Sequence, residues 1–382
     1  MNTGPLDGLT VLDLSRVLAG PYCTMILGDL GAEVVKIEHP SGDDTRRWGP
    51  PFAGGESAYY LAINRNKRSA VANFKTPQGA ALVRRIAASA DVLVENFRPG
   101  TLEKAGLDLS ELRRVNPRLI TLTVSGMGAS GPERDLPGYD FVVQASGGLM
   151  AVTGPAEGPP SKVGVAIVDL TTGMLAANAI LAALYARERT GQGQHIDISL
   201  LEAQVAWLAN VGSAFLVTGE EPQRYGNAHA TIVPYQTFGT SDGEFALAVG
   251  NDGQWQTLCS AIARIDLAAD PRFSTNPQRV AHRDALVALL EDHFRPQPAA
   301  HWVGLIQAAG IPAGAVRSIG QVLTDPQVLA REMVVTVPHP TIGDLKLLGI
   351  PFKFSGTPAS IRRPPPLLGE HTAEVLAEYG GG

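Results

Sequence analysis

The sequence predicts an α/β protein built on a parallel, doubly wound sheet, with a second, smaller α+β region. The first observation is that short apolar segments alternate with helical ones through the first half of the chain, as in β-α-β units. The second is length, because 382 residues are enough for a large core and suggest two or three domains. Ligands bind such sheets at the carboxyl ends of the strands, so we expect the functional site there.

The elements of the large domain follow the chain in order. Apolar strands are predicted at residues 9–15, 32–38, 69–74, 92–95, 119–124 and 195–199, with helices at 21–30 and 77–89. Residues 163–168 are predicted as a buried strand that leads into a helix ending near Gly191, and residues 200–216 as one long apolar helix. The polar, Gly/Pro-rich stretch 39–64 is too long for a turn, which indicates a functional segment.

Three parts of the chain are predicted. Residues 1–219 form the large domain. Residues 220–325 form a linker and a small α+β domain, with a strand at 245–249 and helices near 255–263, 283–293 and 300–307. Residues 326–382 form a C-terminal segment that returns to the large domain, because strands at 334–336 and 345–348 reappear before a last helix at 371–379.

Composition excludes several classes of function. The net charge is -6 and no basic tract is present, so nucleic acid is not an expected partner. The two cysteines, Cys23 and Cys259, lie far apart, so we expect neither a disulfide nor a metal site. The apolar stretch 163–186 carries polar residues that are costly in hydrocarbon, which favours a buried segment over a membrane span. Without a signal-like N-terminus, a reducing, cytoplasmic location is expected.

Asp169 is the most informative single residue. It closes the apolar run 163–168 and precedes a helix rich in small residues. A carboxylate there is costly to bury unless helix amides donate hydrogen bonds to it, which would leave an ionised and partly desolvated nucleophile. The alternative is a plain helix N-cap, a position that aspartate favours. The neighbouring motifs favour the nucleophile.

Six stretches, in order, carry a resemblance to a known family. They are residues 16–21 (RVLAGP), 30–38 (LGAEVVKIE), 64–69 (NRNKRS), 94–100 (VENFRPG), 146–148 (SGG) and 368–372 (LGEHT). In these six stretches the chain resembles the class III CoA-transferases, which are also called the CaiB/BaiF family. The resemblance implies a Rossmann-like large domain, an interlocked, ring-like homodimer, and Asp169 as the nucleophile. It also implies coenzyme A thioesters as substrates, with no permanently bound cofactor and no metal.

The resemblance further implies a CoA site and an acyl pocket. By position, the CoA-binding residues are Val17, Leu18, His39, Ala72, Lys75, Asn96, Phe97, Arg98 and Lys104. Some relatives carry Arg in place of His39 and of Lys104, and lysine lacks the bidentate fork of arginine. The acyl or carboxylate pocket is expected to use Arg46, Tyr59, Tyr139, His229 and the backbone near Gly250. His229 is as compatible with a structural role, and the Gly250 loop with an ordinary turn.

Residues 42–46, 48–52, 56–60, 228–229 and 232–236 are similar to those of transferases that move CoA from succinyl-CoA to dicarboxylic acids. The resemblance thus implies an acceptor such as glutarate, itaconate, mesaconate or malate. One alternative is an α-methylacyl-CoA racemase, but that class has His where this chain has Tyr139, and Tyr is a poor base for epimerisation. A second alternative is a non-catalytic CoA-binding protein. A Rossmann oxidoreductase is disfavoured because residues 14–21 contain one glycine instead of G-x-G-x-x-G.

Overall fold

The computed structural model describes residues 4–380, which divide into two compact units. The first unit comprises Met1–Leu149, Val163–Glu220 and Pro326–Gly382, and the second comprises Met150–Lys162 and Glu221–Asp325. Residues 150–162, which are predicted from the sequence as part of the large domain, belong to the second unit.

The strands of residues 4–380 are β1 Thr10–Asp13, β2 Glu33–Glu38, β3 Phe52–Ala53, β4 Glu56–Ser57, β5 Lys67–Val71, β6 Val92–Glu95, β7 Ile120–Ser125, β8 His195–Ser199, β9 Tyr235–Gly239, β10 Glu244–Ala248, β11 Ala313–Ala315, β12 Val334–His339 and β13 Gly343–Leu348.

The α-helices of the same residues are α1 Ala19–Asp29, α2 Ala58–Ile63, α3 Pro77–Ala87, α4 Thr101–Lys104, α5 Leu109–Val115, α6 Asp140–Ser146, α7 Leu149–Val152, α8 Ile167–Thr190, α9 Leu200–Trp207, α10 Ala209–Thr218, α11 Asp252–Ala261, α12 Ile265–Ala269, α13 Asn276–Ala281, α14 Arg283–Phe294, α15 Ala299–Ala308, α16 Ile319–Leu323, α17 Pro326–Ala330 and α18 Thr372–Tyr379. Short 3₁₀ turns occur at Asp44–Arg47 and Pro271–Phe273.

The first unit is organised around a six-stranded parallel sheet in the order β5-β2-β1-β6-β7-β8. Ranked by position in the chain, these strands run 3-2-1-4-5-6, the doubly wound order with a topological switch point between its two halves. That switch point lies between β1 and β6. The prediction of an α/β protein with a large parallel sheet is confirmed.

Both faces of this sheet are buried, as a parallel sheet requires. Val11 and Val34 belong to the core on one face, together with the apolar residues of α1 and α8, whereas Leu12 and Val35 belong to the core on the other face. Neighbouring residues alternate between the two cores because successive side chains of a strand point to opposite faces. This explains why the strands are apolar throughout in the sequence.

Two predicted elements are wrong. Residues 163–168 do not form a strand, because helix α8 already begins at Ile167. The predicted helix 200–216 is two helices, α9 and α10, which meet at a bend of 75°. At the bend Ala209 has a φ of 38°, outside the right-handed helical region, so the helix cannot continue straight through it. Apolar periodicity does not report such a local change of backbone.

The polar stretch 39–64 is structured. It contains the 3₁₀ turn Asp44–Arg47, the two-stranded hairpin of β3 and β4, and helix α2. Ser57 caps α2, since its side chain accepts a hydrogen bond from the Tyr60 N–H.

The second unit carries a three-stranded antiparallel sheet in the order β11-β10-β9. Its core packs helices α11, α14 and α15 around aromatic residues such as Phe238, Phe245 and Phe294. Helices α11, α14 and α15 and strand β10 match the elements that the sequence predicts for this part of the chain.

Helix α8 is long and apolar enough, by length and composition, to cross a membrane, with a mean hydropathy of 1.7 over its most apolar window. Half of that window is buried inside the protein. Ala176, Ala177 and Ile180 lie in the core of the first unit, where α8 packs against α1. These are the contacts of a core helix.

Gly173 sets how closely α8 approaches α1. A Cβ added there would lie 2.7 Å from the Ala19 carbonyl oxygen and 3.1 Å from Cδ1 of Tyr22. We therefore expect Gly173→Ala to lower the free energy of unfolding by about 1–3 kcal/mol, as overpacking does. Urea denaturation measures this effect.

Gly304 supplies the matched control. It lies in α15, and a Cβ there meets no atom within 4 Å. Gly304→Ala should raise the free energy of unfolding by about 0.5–1 kcal/mol because alanine favours helix. An increase in the free energy of unfolding of both variants would contradict the close packing of α8 against α1 at Gly173.

Candidate active site

The segments that follow β1 and β6 are tied together at the switch point. The Arg16 N–H donates to Asn96 Oδ1 at 2.8 Å, and Asn96 Nδ2 donates to the Arg16 carbonyl oxygen at 2.7 Å. Next to this pair, Val17 has a φ of 69°, a left-handed conformation that a β-branched residue rarely adopts. Strained backbone of this kind concentrates at functional sites, where the surrounding structure enforces it.

Buried ion pairs stabilise the segment that follows β1. Lys36 donates to the Ser15 carbonyl oxygen at 2.7 Å and lies 3.1 Å from the Asp43 carboxylate. Asp13, at the end of β1, pairs with Lys67 at 3.1 Å, and both side chains are fully buried. Burial raises the pKa of Asp13, but the charges of Lys67 and Lys36 and the hydrogen bonds from Ser15 and Thr24 together outweigh that effect, and the pKa falls to about 2. The charges that hold the loop are thus satisfied within the protein.

Two adjoining cavities open at the switch point. The first, here called the His39 cavity, has a volume of about 270 Å³, and its wall includes His39, Lys75, Phe97 and Arg98. The second, the Asp169 cavity, has a volume of about 170 Å³ and its wall includes Val17, Leu18, Asn96, Tyr139 and Asp169. Arg16, Phe97 and Arg98 line both cavities. Besides Asp169, eight of the predicted site residues therefore line one or both of these cavities.

Asp169 lies in the first turn of α8 and is partly buried. It is not the N-cap, a position that Ala166 holds. Among residues 4–380 no hydrogen bond is donated to its carboxylate. The expectation that helix amides would bind this carboxylate is therefore wrong, because the amides are already engaged by another side chain.

That side chain is Asp140. Its Oδ1 accepts hydrogen bonds from the N–H groups of Val168, at 2.8 Å, and Asp169, at 3.3 Å. Its Oδ2 accepts from Gln144 Nε2 at 2.6 Å. Asp140 thus caps the helix that carries Asp169. No local signal in the sequence indicates that Asp140 caps a helix that begins 27 residues further along the chain.

The environment disfavours a charge on Asp169. Burial raises the pKa of its carboxyl, and the neighbouring Asp140 carboxylate adds to the effect, bringing the pKa to about 7. Near neutral pH both protonation states are present in the unliganded protein. Only the ionised form is a nucleophile.

The loop between Gly126 and Gly138 places Tyr139 and Asp140 beside α8. A Cβ added to Gly126 would lie 2.6 Å from Cα of Gly138, so the two backbones approach closely at the base of the loop. Tyr139 is largely exposed at the wall of the Asp169 cavity.

Arg46 has a role other than the one the sequence suggested. Its guanidinium binds both carboxylate oxygens of Glu38, at 2.7 and 2.8 Å, and Glu56 at 2.8 Å. It also lies 3.7 Å from the centre of the Tyr60 ring and is almost completely buried. Because its charge is neutralised inside the protein, the geometry argues against Arg46 as a ligand of a substrate carboxylate.

Other predicted residues have different positions. Tyr59 is near enough to Asp169 that burial and then the Asp169 charge raise the pKa of its hydroxyl to about 12. Ala72 and Lys104 lie outside the walls of both cavities. His229 and Gly250 belong to the second unit. There His229 Nδ1 accepts from the Thr231 N–H at 3.1 Å, and the Gly250 N–H donates to Gln254 Oε1 at 2.7 Å.

We expect Asp140→Asn to shift the pH dependence of any reaction that needs ionised Asp169. Removing the neighbouring negative charge lowers the pKa of Asp169, so the rise in kcat with increasing pH should begin at lower pH. The amide oxygen of Asn can still accept the Val168 N–H. The measurement is a pH–rate profile under saturating substrate.

Asp292→Asn is the control, since it removes the same charge from an exposed position in α14. Its profile should match that of the wild type. A shift of the Asp140→Asn profile to higher pH would contradict the electrostatic role of Asp140.

The fold and site define a doubly wound α/β protein with a partly buried carboxylate, Asp169, in a cavity at its switch point. A sequence model of CoA-transferase family III matches residues 6–372. The chain therefore belongs to CoA-transferase family III, a family of enzymes that transfer CoA.

Two named relatives of this chain are also CoA-transferases. The chain is 43% identical over 378 residues to a succinyl-CoA:glutarate CoA-transferase of Homo sapiens, covering 99% of this chain and 86% of that protein. It is 45% identical over 381 residues to a succinate–glutarate CoA-transferase of Agrobacterium fabrum, covering 98% and 95%. A crystal structure of a CaiB/BaiF family protein from Brucella suis matches with a TM-score of 0.89 and 44% identity, covering 99% of this chain and 100% of that one.

Proposed function

We propose that this protein transfers CoA from succinyl-CoA to a dicarboxylic acid such as glutarate, with Asp169 as the nucleophile. The observation that carries the proposal is a partly buried carboxylate that accepts no hydrogen bond from the described residues 4–380, at the wall of a cavity at the switch point. Relatives named for succinyl-CoA and glutarate support the substrate class. Itaconate, mesaconate and malate are further acceptors of the same chemistry.

The first half of the reaction loads CoA onto the enzyme. An Asp169 oxygen attacks the thioester carbonyl carbon of succinyl-CoA, the C–S bond breaks, and CoA leaves as thiolate. The product on Asp169 is a mixed anhydride. The thiolate then attacks the Asp169 carbonyl carbon, which releases succinate and leaves an aspartyl-CoA thioester.

The second half reverses these steps with the acceptor acid. Its carboxylate attacks the aspartyl thioester, forms a new mixed anhydride and releases the thiolate. The thiolate attacks the acceptor's carbonyl carbon, and Asp169 leaves as a carboxylate. Neither water nor an oxidant or reductant takes part in these steps. Since anhydrides hydrolyse readily, the small Asp169 cavity supports the chemistry by limiting water.

We place the phosphates and adenine of CoA in the His39 cavity. His39, Lys75 and Arg98 supply donors for phosphate there, and Phe74 and Phe97, with ring centres 5.0 Å apart, supply an apolar surface. Arg16 lies over the Phe97 ring at 5.5 Å, at the shared wall between the cavities. The pantetheine arm would pass this wall, which brings the thioester to Asp169.

An interlocked homodimer and a cytoplasmic location are part of the proposal and follow from the resemblance to the family. The glycine-containing segment 250–253 remains the proposed source of backbone donors for developing oxyanions. The Gly250 N–H can serve only if it exchanges its bond to Gln254 for one to the substrate.

The test is a mass-spectrometric scan of acyl-CoA products. Purified protein receives succinyl-CoA with glutarate, itaconate, mesaconate, malate, adipate, oxalate and simple monocarboxylates. A new dicarboxyl-CoA supports the proposal and ranks the acceptors. Absence of any new thioester from succinyl-CoA would remove the donor assignment, and the scan would then be repeated with acetyl-CoA and formyl-CoA.

A further inference from the structure

The Asp169 cavity has two sides, which different parts of the sheet provide. One side follows β1 and β6 and includes Arg16, Asn96, Phe97 and Arg98. The other side, here called the β7 side, consists of the end of β7 with Gly126, residues 134–139, and Leu200 at the start of α9. Of these two sides only the first is shared with the His39 cavity. An acyl group attached to Asp169 therefore has the β7 side open to it, away from the proposed path of CoA.

Arg134 is the one cation on the β7 side among the described residues that line the cavity. Arg16 and Arg98 both lie on the side shared with the His39 cavity. Arg16 is further engaged, because its guanidinium pairs with Asp44 at 3.2 Å and lies over Phe97. Arg46 is buried between two carboxylates and is not part of either wall.

The guanidinium of Arg134 retains donors for a ligand. Its ion pair is with the neighbouring Asp135, a single contact of 3.5 Å between Nε and Oδ2, and both side chains are more than half exposed. A guanidinium has five N–H donors, and a carboxylate binds best to two of them in parallel. Pairs as exposed as Arg134–Asp135 contribute little to stability, so the pair can yield to a ligand.

We infer that Arg134 binds the distal carboxylate of the dicarboxylic acid and so determines the selectivity for dicarboxylates. The inference rests on the proposed function and names a specificity-determining residue within it. The first carboxylate of the acid reacts at Asp169, and the second lies against Arg134 on the β7 side. The close approach of Gly126 and Gly138 fixes the base of the loop that carries Arg134. Asp135 competes for the guanidinium and repels the incoming carboxylate.

The test is a competition between two acceptors of the same length. Glutarate and monomethyl glutarate, at equal concentration, compete for the enzyme with succinyl-CoA as the donor. The same aspartyl-CoA intermediate partitions between them, so the ratio of the two CoA products measures selectivity independently of the donor step. Mass spectrometry quantifies both products.

Arg134→Gln should lower the ratio of glutaryl-CoA to its monomethyl ester by about 10- to 100-fold, the effect of losing a charge-assisted contact. Arg134→Lys should fall between Gln and the wild type, since it keeps the charge without the fork. Asp135→Asn should raise the ratio, by up to about 5-fold, because it removes both competition and repulsion. A general disturbance of the loop is not expected to lower the product ratio in the Arg134 variants and raise it in Asp135→Asn.

Arg47→Gln is the matched control, because Arg47 is an exposed arginine paired with Asp44 and lies outside both cavity walls. Its ratio should equal that of the wild type. Normal selectivity in Arg134→Gln, in a protein that does transfer CoA to glutarate, overturns the inference and leaves the proposed function standing. A loss of selectivity in Arg16→Gln with none in Arg134→Gln would assign the role to Arg16 instead. If the wild type transfers no CoA to glutarate, the proposed function fails and the inference falls with it.

Discussion

Asp169→Ala is expected to abolish CoA transfer, with kcat lower by roughly 10⁴-fold or more, because it removes the carboxylate on which the acyl anhydride forms. The other carboxylate among the described residues of this cavity, Asp135, is largely exposed and pairs with Arg134. The protein should still fold, since no hydrogen bond among residues 4–380 depends on the Asp169 carboxylate. CoA should still bind, because the proposed phosphate contacts lie in the His39 cavity. Steady-state kinetics and titration with CoA test these statements separately.

Intact-protein mass spectrometry adds a direct readout. The wild type mixed with succinyl-CoA should show a covalent CoA adduct, and Asp169→Ala should show none. Asp284→Ala is the control, since Asp284 occupies the first turn of another helix, α14, and is exposed. Turnover retained in Asp169→Ala would exclude the proposed mechanism.

Arg46→Met is expected to lower the free energy of unfolding by about 3–5 kcal/mol, the cost of breaking a buried ion pair by removing one partner. The substitution leaves Glu38 buried without its bidentate partner and leaves Glu56 unpaired. Burial raises the pKa of Glu38, yet the hydrogen bond and charge of Arg46, the charge of Lys36 and the hydrogen bond from Ser69 together hold the pKa below its usual value. Without Arg46 that pKa should rise, so the variant should lose most stability at neutral and higher pH. Urea denaturation at pH 5 and pH 8 measures both effects.

Controls separate this structural role from substrate binding. Arg47→Met, at the exposed neighbouring position, should change stability by no more than about 0.5 kcal/mol. Adding Glu38→Gln to Arg46→Met should recover part of the loss, because the unpaired buried charge is then gone. If Arg46→Met proves too unstable to purify, Arg46→Lys keeps the charge and should show a smaller loss. Unchanged stability together with a raised KM for the acid would contradict the structural role.

Both predictions concern residues that the sequence singled out, and the outcome differs between them. The local pattern around Asp169, an acid between an apolar run and a helix of small residues, is also compatible with a helix N-cap, and the neighbouring motifs favour the nucleophile. The structure places Asp169 at a cavity wall, although the reason given for its ionisation was wrong. Arg46 is one of the expected pocket residues and lies in the long polar stretch 39–64. That stretch is structured, and the guanidinium faces inward to Glu38 and Glu56.

The sequence by itself determined the class of fold and the family. Alternating apolar strands and helices are local consequences of backbone geometry and burial, so they can be recognised without knowing which elements meet. The same holds for motifs such as residues 94–100, whose Asn96 and Phe97 line the cavities. The interlocked dimer, the domain boundaries and the roles of the site residues stay predictions.

Only the tertiary structure decided which charges are free and which are satisfied. Asp140 caps a helix that begins 27 residues later, Val17 adopts a left-handed backbone, and Arg134 faces the cavity that Arg46 does not reach. The energy of an ionisable group depends on its partners and on its exposure to water. Both are set by which distant segments pack together, and residue type along the chain does not report that.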